Sequence, residues 1–257
     1  MTSYDLPAEI DLTIDGPIRI VTLNRPERLN ATNRDLHHGL GALFGQLDAD
    51  LEARAVVITG AGRAFCAGGD FDYLDQLSRD EELRRETMVD ARQIVTGMVR
   101  CRLPIVAAVN GPAVGLGCSL VALSDIVYMA ESAYLADPHV LIGLVAADGG
   151  PVTWPLLTSL QLAKEFAFTG DRISAQRAAQ IGLANHVVPD ADVLDAALAC
   201  ARRLAALPRQ ALEDTKRVLN LHLERAVLAT LDYALAAEDR SFLSPELRAS
   251  VDRRRAT

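Results

Sequence analysis

The chain has 257 residues, of which half are apolar and 23% charged, a composition that sets it among globular proteins and outside the disordered and fibrous classes. Its 26 basic residues against 34 acidic ones leave a formal charge of −8, which argues against a nucleic-acid backbone as main partner and requires any anion to be held locally. Four cysteines without CxxC spacing and the lack of a signal peptide suggest neither disulfides nor zinc and point to the cytoplasm.

In chain order, Ile10–Ile14 and Ile18–Leu23 alternate like the strands of a hairpin about Asp15-Gly16-Pro17. Thr32 or Asn33 can cap a helix reaching about Glu52, and the apolar run Ala55–Thr59 then reads as a buried strand. The pattern recurs, with a polar helix from about Asp80 to Arg100, a buried strand Ile105–Val109, a glycine-rich loop and a short helix from Gly117. The uncharged stretch from Leu103 to Ser124 contains Pro104, Pro112 and several glycines, so it makes a poor membrane helix.

Strands are expected over Ile126–Ala130 and Ala133–Ala136, and from about Thr153 the pattern turns helical, with stops at Gly170 and Gly182 and breaks at Pro189 and Pro208. Repeated strand, strand, helix units predict an α/β fold whose sheets stack in a spiral over residues 1–190, followed by a helical appendage over residues 191–257. Leu219, Leu223, Val227 and Leu231 lie at helical spacing there and would pack on the core or on a second subunit.

Two glycine-rich turns are the candidate sites. In Ala64-Phe-Cys-Ala-Gly-Gly-Asp70 the glycines precede a helix, so the Gly69 N–H can face an anion while Asp70 serves as N-cap. In Val109–Ser119 a buried strand again runs through glycines into a helix start, and the Leu116 N–H is placed for the same work. Two such donors on one oxygen form an oxyanion hole, in which each donor contributes about 3 kcal/mol to a transition state. Gly60-Ala-Gly62 also follows a strand, but Phe65 breaks the dinucleotide pattern and no Walker sequence is present.

Together, Leu23-Asn-Arg-Pro-Glu27 with Asn30-Ala31, Val57-Ile-Thr-Gly60, the segment 64–70 and Ala108-Val-Asn-Gly-Pro112 resemble the crotonase (enoyl-CoA hydratase/isomerase) superfamily over nearly the whole chain. The resemblance implies a spiral β-β-α core, a C-terminal helical oligomerisation region giving a homotrimer or hexamer, and an acyl-CoA substrate with no separate cofactor. Its thioester oxygen would lie between the N–H groups of Gly69 and Leu116, flanked by Gly68 and Gly115. Adenine would be met by the backbone near Cys66 and Ala67, and the phosphates by Arg28.

The positions where family hydratases carry two glutamates hold Ser119 and His139. A serine hydroxyl cannot replace a carboxylate as base, so standard hydration is in doubt. His139 lies nine residues before Asp148, with Trp154 following, a pattern similar to superfamily members that cleave β-diketones hydrolytically. Imidazole exchanges protons near neutrality and a carboxylate can fix its tautomer, so His139 and Asp148 are the candidate acid–base pair. Alternatively Asp148 only caps the helix beginning near Gly149. The open readings are acyl-CoA enolate chemistry, β-diketone hydrolysis, and non-catalytic acyl-CoA binding.

Overall fold

A computed structural model describes residues 4–255, with side chains through Arg253. The chain opens on the hairpin β1 (Ile10–Asp15) and β2 (Ile18–Leu23), turning at Gly16 with φ +55°. Helix α1 (Arg34–Ala49) is capped by Asn33, whose side-chain oxygen accepts the Leu36 N–H at 3.0 Å. Its buried residues Leu36, Leu40, Leu43, Phe44 and Leu47 recur at helical spacing.

Strand β3 (Ala55–Gly60) is buried along its length, and after α2 (Phe71–Arg79) and α3 (Glu81–Arg100) comes β4 (Ile105–Val109), also buried throughout. Then follow β5 (Ala113–Val114), α4 (Leu116–Ala122), β6 (Ile126–Ala130) and β7 (Tyr134–Ala136). Helices α5 (Gly150–Leu157) and α6 (Leu160–Thr169) precede β8 (Ile173–Ser174), α7 (Ala175–Ile181) and β9 (His186–Val188).

The strands form a six-stranded sheet in the order β1-β2-β3-β4-β6-β9 and a three-stranded sheet in the order β5-β7-β8. Only β1 with β2 is antiparallel in the large sheet, and burial on both faces of β3 and β4 explains their unbroken apolar runs. The expected spiral of β-β-α units is present, and residues 170–190 also hold β8 and β9, which the helical reading of that segment passes over. β8, of two residues, and β9, whose side chains are half-buried or exposed, show no apolar alternation to read. Gly170 and Gly182 do end α6 and α7, at φ +64° and +91°.

Helix α8 (Val193–Ala205) begins the region that the sequence assigns to a C-terminal appendage, yet it lies on β3, β4 and β6 of the main sheet. Its buried face, Ala197, Leu198, Cys200 and Ala201, is small enough to approach the strands closely. Helix α9 (Arg209–Ala226) runs through a π-helical turn (Val227–Leu231) into α10 (Asp232–Ser241), and α11 (Pro245–Arg255) ends the described chain. No described helix is long and apolar enough to cross a membrane.

Helices α10 and α11 fold back over α3 and α2. Phe242, Leu247 and Val251 join Tyr73, Leu74 and Leu77 in a second apolar cluster, each large side chain contributing roughly 2 kcal/mol by burial. Arg84 fastens the seam: its Nε donates to Asp239 at 2.9 Å and its Nη1 to the Leu77 carbonyl at 2.8 Å. This seam forms the outer wall of the site.

Candidate active site

The first glycine turn is held by the loop that precedes α1. Asn30, fully buried at φ +56°, donates to the carbonyls of Ala61 and Ala64 at 2.9 and 2.8 Å and accepts the Arg25 N–H at 2.8 Å. Next to it, Thr32 pairs with Gly69 as in a parallel sheet: Thr32 N–H donates to Gly68 O at 2.7 Å and Asp70 N–H to Thr32 O at 3.0 Å. In that pairing the bonds go to the residues flanking Gly69, so its own N–H points away from Thr32.

The second turn is stitched to the first. Phe65 and Cys66 N–H groups donate to Pro112 O at 3.1 Å, and Val114 N–H donates to Cys66 O at 2.8 Å. Gly117 packs so closely that a Cβ there would fall 2.5 Å from Cys66 O. Gly115, at φ +53°, turns the chain into α4, and Leu116, as first residue of that helix, has an N–H with no intrahelical acceptor. Gly69 and Leu116 line the same cavity, of about 130 Å³, and among the described residues neither N–H donates a hydrogen bond.

Across from these amides stands an acid–base cluster. His139 opens a 3-10 turn (His139–Ile142), its side chain 13% exposed. Its Nδ1 is hydrogen-bonded to Asp137 Oδ1, and its Nε2 lies 3.8 Å from Asp148 Oδ2. The ring closes on the second turn, because a Cβ on Gly115 would sit 3.3 Å from His139 Cε1 and 3.7 Å from Nε2. Asp148 is buried and accepts from Ser119 Oγ at 2.8 Å. Glu238, 6% exposed on α10, reaches the same cavity.

The electrostatics are those of one cation among acids. Burial opposes charge on His139, but Asp137 and Asp148 outweigh it and push the imidazole up to about 10. Burial, together with the neighbouring Asp148 and Asp137, raises Glu238 to about 8 against the pull of His139, leaving a neutral carboxyl at pH 7. Asp148 is also raised, chiefly by burial, whereas Asp137 is lowered because His139 outweighs its desolvation. The resting site therefore holds an imidazolium braced by Asp137 and a protonated Glu238.

The sequence model of the enoyl-CoA hydratase/isomerase family matches residues 13–253. The chain belongs to the enoyl-CoA hydratase/isomerase family. A crystal structure of an enoyl-CoA hydratase/isomerase from Mycobacterium paratuberculosis superposes with a TM-score of 0.96 at 66% identity, covering 97% of this chain and all of that one. The short-chain-enoyl-CoA hydratase of Clostridium acetobutylicum is 31% identical over 229 residues, which is 89% of this chain and 85% of that protein. A monofunctional enoyl CoA isomerase from M. smegmatis matches with a TM-score of 0.71 at 30% identity over 85% of this chain and 95% of that one.

Against this family background the expected site residues separate. Ala67, Gly68, Gly69, Gly115, Leu116, His139 and Asp148 line the cavity, whereas Arg28, Cys66, Asp70, Ser119 and Trp154 do not. Cys66 is fully buried, its N–H donating to Pro112 O and its C=O accepting from Val114 N–H in the second turn. Asp70 caps α2 through Asp72 N–H at 3.1 Å and pairs with Arg25 Nη2, also at 3.1 Å. Arg28 is exposed on the turn Pro26–Arg28.

Trp154 belongs to the core, and Leu160, Leu162 and Phe166, natural candidates for bounding an acyl chain, are absent from the lining. The apolar wall comes instead from Phe71, Leu74, Leu77, Met88, Ile142 and Phe242. Two assignments change. The carboxylate hydrogen-bonded to the His139 ring is Asp137, not Asp148, and Asp148 does not cap α5, whose N-cap Gly149 makes no side-chain bond. Asp137 and Glu238 are the groups sequence reasoning missed; the Asp-Pro-His triplet was the signal for the first, whereas the second comes from a distant helix.

Proposed function

We propose that this family member acts on an acyl-CoA thioester through an enolate whose oxygen is held by the Gly69 and Leu116 N–H groups. The observation that carries this reading is the pair of unspent amides on residues that line one cavity together with His139. Such donors are preorganised for the charge that develops when a proton leaves the carbon next to the carbonyl. That proton goes to a carboxylate, for which Asp148 is the assigned base, burial raising its proton affinity. Return of a proton from His139 or Glu238 to the γ-carbon relocates the double bond; in hydration the same enolate forms instead by addition of water to the β-carbon of a 2-enoyl thioester, the water's proton passing to a carboxylate, and is then protonated at the α-carbon.

Ser119 and His139 stand where family hydratases carry glutamates, and Asp148 supplies a carboxylate directly against Ser119 from a different loop. Acid–base work is thus redistributed rather than lost, which favours catalysis over passive acyl-CoA binding. A second reading, hydrolytic cleavage of a β-diketone, draws on His139 lying between Asp137 and Asp148, an arrangement in which a carboxylate can take a proton from water while the imidazolium donates. Exposed Leu219, Leu228 and Tyr233 on the C-terminal helices support self-association as a homotrimer or a hexamer.

The test is incubation of purified protein with enoyl-, β-keto- and malonyl-type CoA esters beside CoA-free β-diketones. Turnover of a thioester, lost in His139→Ala, is expected. Diketone cleavage with thioesters left intact replaces the first reading by the second, and no turnover of either contradicts both.

A further inference from the structure

Polar groups not used by the chemistry above lie in the wall of the cavity. His37 sits one turn into α1, five residues after Thr32, whose pairing with Gly69 holds the first amide, and it lines the same cavity. The residue is 8% exposed, and its Nδ1 is buried with no hydrogen-bond partner among the described residues. Burial, with the adjacent His38, lowers it to about 4, so the ring is neutral at pH 7 and offers one N–H donor and one lone pair.

Beside it, at 6.4 Å between ring centroids, is Tyr73. Thr87 Oγ1 donates to Leu83 O at 2.8 Å, so the 2.6 Å contact between Tyr73 and Thr87 uses the Tyr73 proton and leaves the phenolic oxygen as an acceptor. Both rings line the cavity, among Phe71, Leu74 and Met88. A plain alkyl chain packed there would leave the accessible ring nitrogen of His37, Nε2, without a partner, whereas a hydroxyl can accept from one imidazole tautomer or donate to the other, or to the Tyr73 oxygen.

We propose that His37, with Tyr73, selects acyl groups that carry a hydroxyl away from the reacting carbons. The inference rests on reading the cavity as an acyl pocket, and it makes His37 a specificity-determining residue with no part in proton transfer to the thioester. Removing a buried polar atom that has no internal partner should not weaken the fold, so a role confined to packing and a role in recognition leave different traces.

The experiment measures affinity by calorimetry, and kcat/KM where turnover occurs, for short-chain CoA thioesters of one length, unsubstituted or hydroxylated at successive carbons. Wild-type protein is expected to favour at least one hydroxylated ester by on the order of 10-fold. His37→Leu should abolish that preference and melt at the same or a higher temperature, and His37→Gln should restore part of it. Equal affinity for hydroxylated and plain esters in wild type, or a preference that survives His37→Leu, overturns the proposal even if the thioesters are turned over. A His37-dependent preference in binding without turnover upholds it while the proposed reaction fails. Should His37→Leu not fold, the preference in His37→Gln decides: unchanged from wild type it overturns the proposal, diminished it upholds it.

Discussion

The two walls of the cavity are built in opposite ways. One is backbone: Gly69 and Leu116 contribute peptide N–H groups, set by bonds among residues 29–32, 64–70 and 112–117, and no side chain there needs to titrate. The other is side chain: Asp137, His139 and Asp148 come from one segment, residues 137–148, and Glu238 joins them only when α10 has docked through Arg84 and Phe242. The backbone wall is fixed in chemistry and can only be mispositioned. The side-chain wall can exchange residues, as Ser119 beside Asp148 illustrates, and so is where members of one fold diverge in reaction.

That contrast orders the expected effects. His139→Ala should be the most damaging, lowering kcat about 10²- to 10⁴-fold with little change in thioester affinity, as steady-state kinetics and calorimetry would show. Leu116→Pro deletes an amide proton at the first position of a helix, where proline is ordinarily accepted, and should lower kcat about 10²- to 10³-fold relative to Leu116→Ala. Equal activity of those two variants would remove the backbone wall from the chemistry. Asp137→Asn leaves the imidazole without its anionic brace and should cost about 10²-fold in kcat, with the ring titrating at lower pH by NMR.

Smaller effects appear in the pH dependence. Glu238, raised to about 8, should act as an acid only below that value, so activity falls as pH climbs through it. Glu238→Gln should remove that limb of the kcat profile while leaving the acid limb. For stability, His139 has a folded value of about 10 against an ordinary 6.5, so its contribution is full below pH 6.5 and lost as pH rises through 10. Thermal midpoints should therefore decline over that window, and less so in His139→Gln.

The backbone wall was legible in the sequence because its instructions are local. Glycines at 68, 69, 115 and 117, following buried strands and preceding helices, leave few conformations in which the chain can close. The strands and helices through residue 136 were legible from the same kind of short-range pattern, whereas β5 and β8 are too short to show one and β9 has no apolar alternation. For the side-chain wall, spacing pointed to His139 and Asp148 but could not say which nitrogen faces which carboxylate; the fold gives Nδ1 to Asp137. Glu238 was hidden for a physical reason: in sequence it is one acid on an amphipathic C-terminal helix, and only the closure of α10 over α3 buries it beside the imidazole.

Isotope-edited infrared spectroscopy of a 13C-labelled thioester carbonyl bound to the protein tests the central claim most directly. Two amide donors on one oxygen predict a lower carbonyl stretching frequency than in water, kept in His139→Ala and partly reversed in Leu116→Pro. A bound frequency equal to that in water, or one indifferent to Leu116→Pro, would contradict the assignment of these amides as the enolate's support.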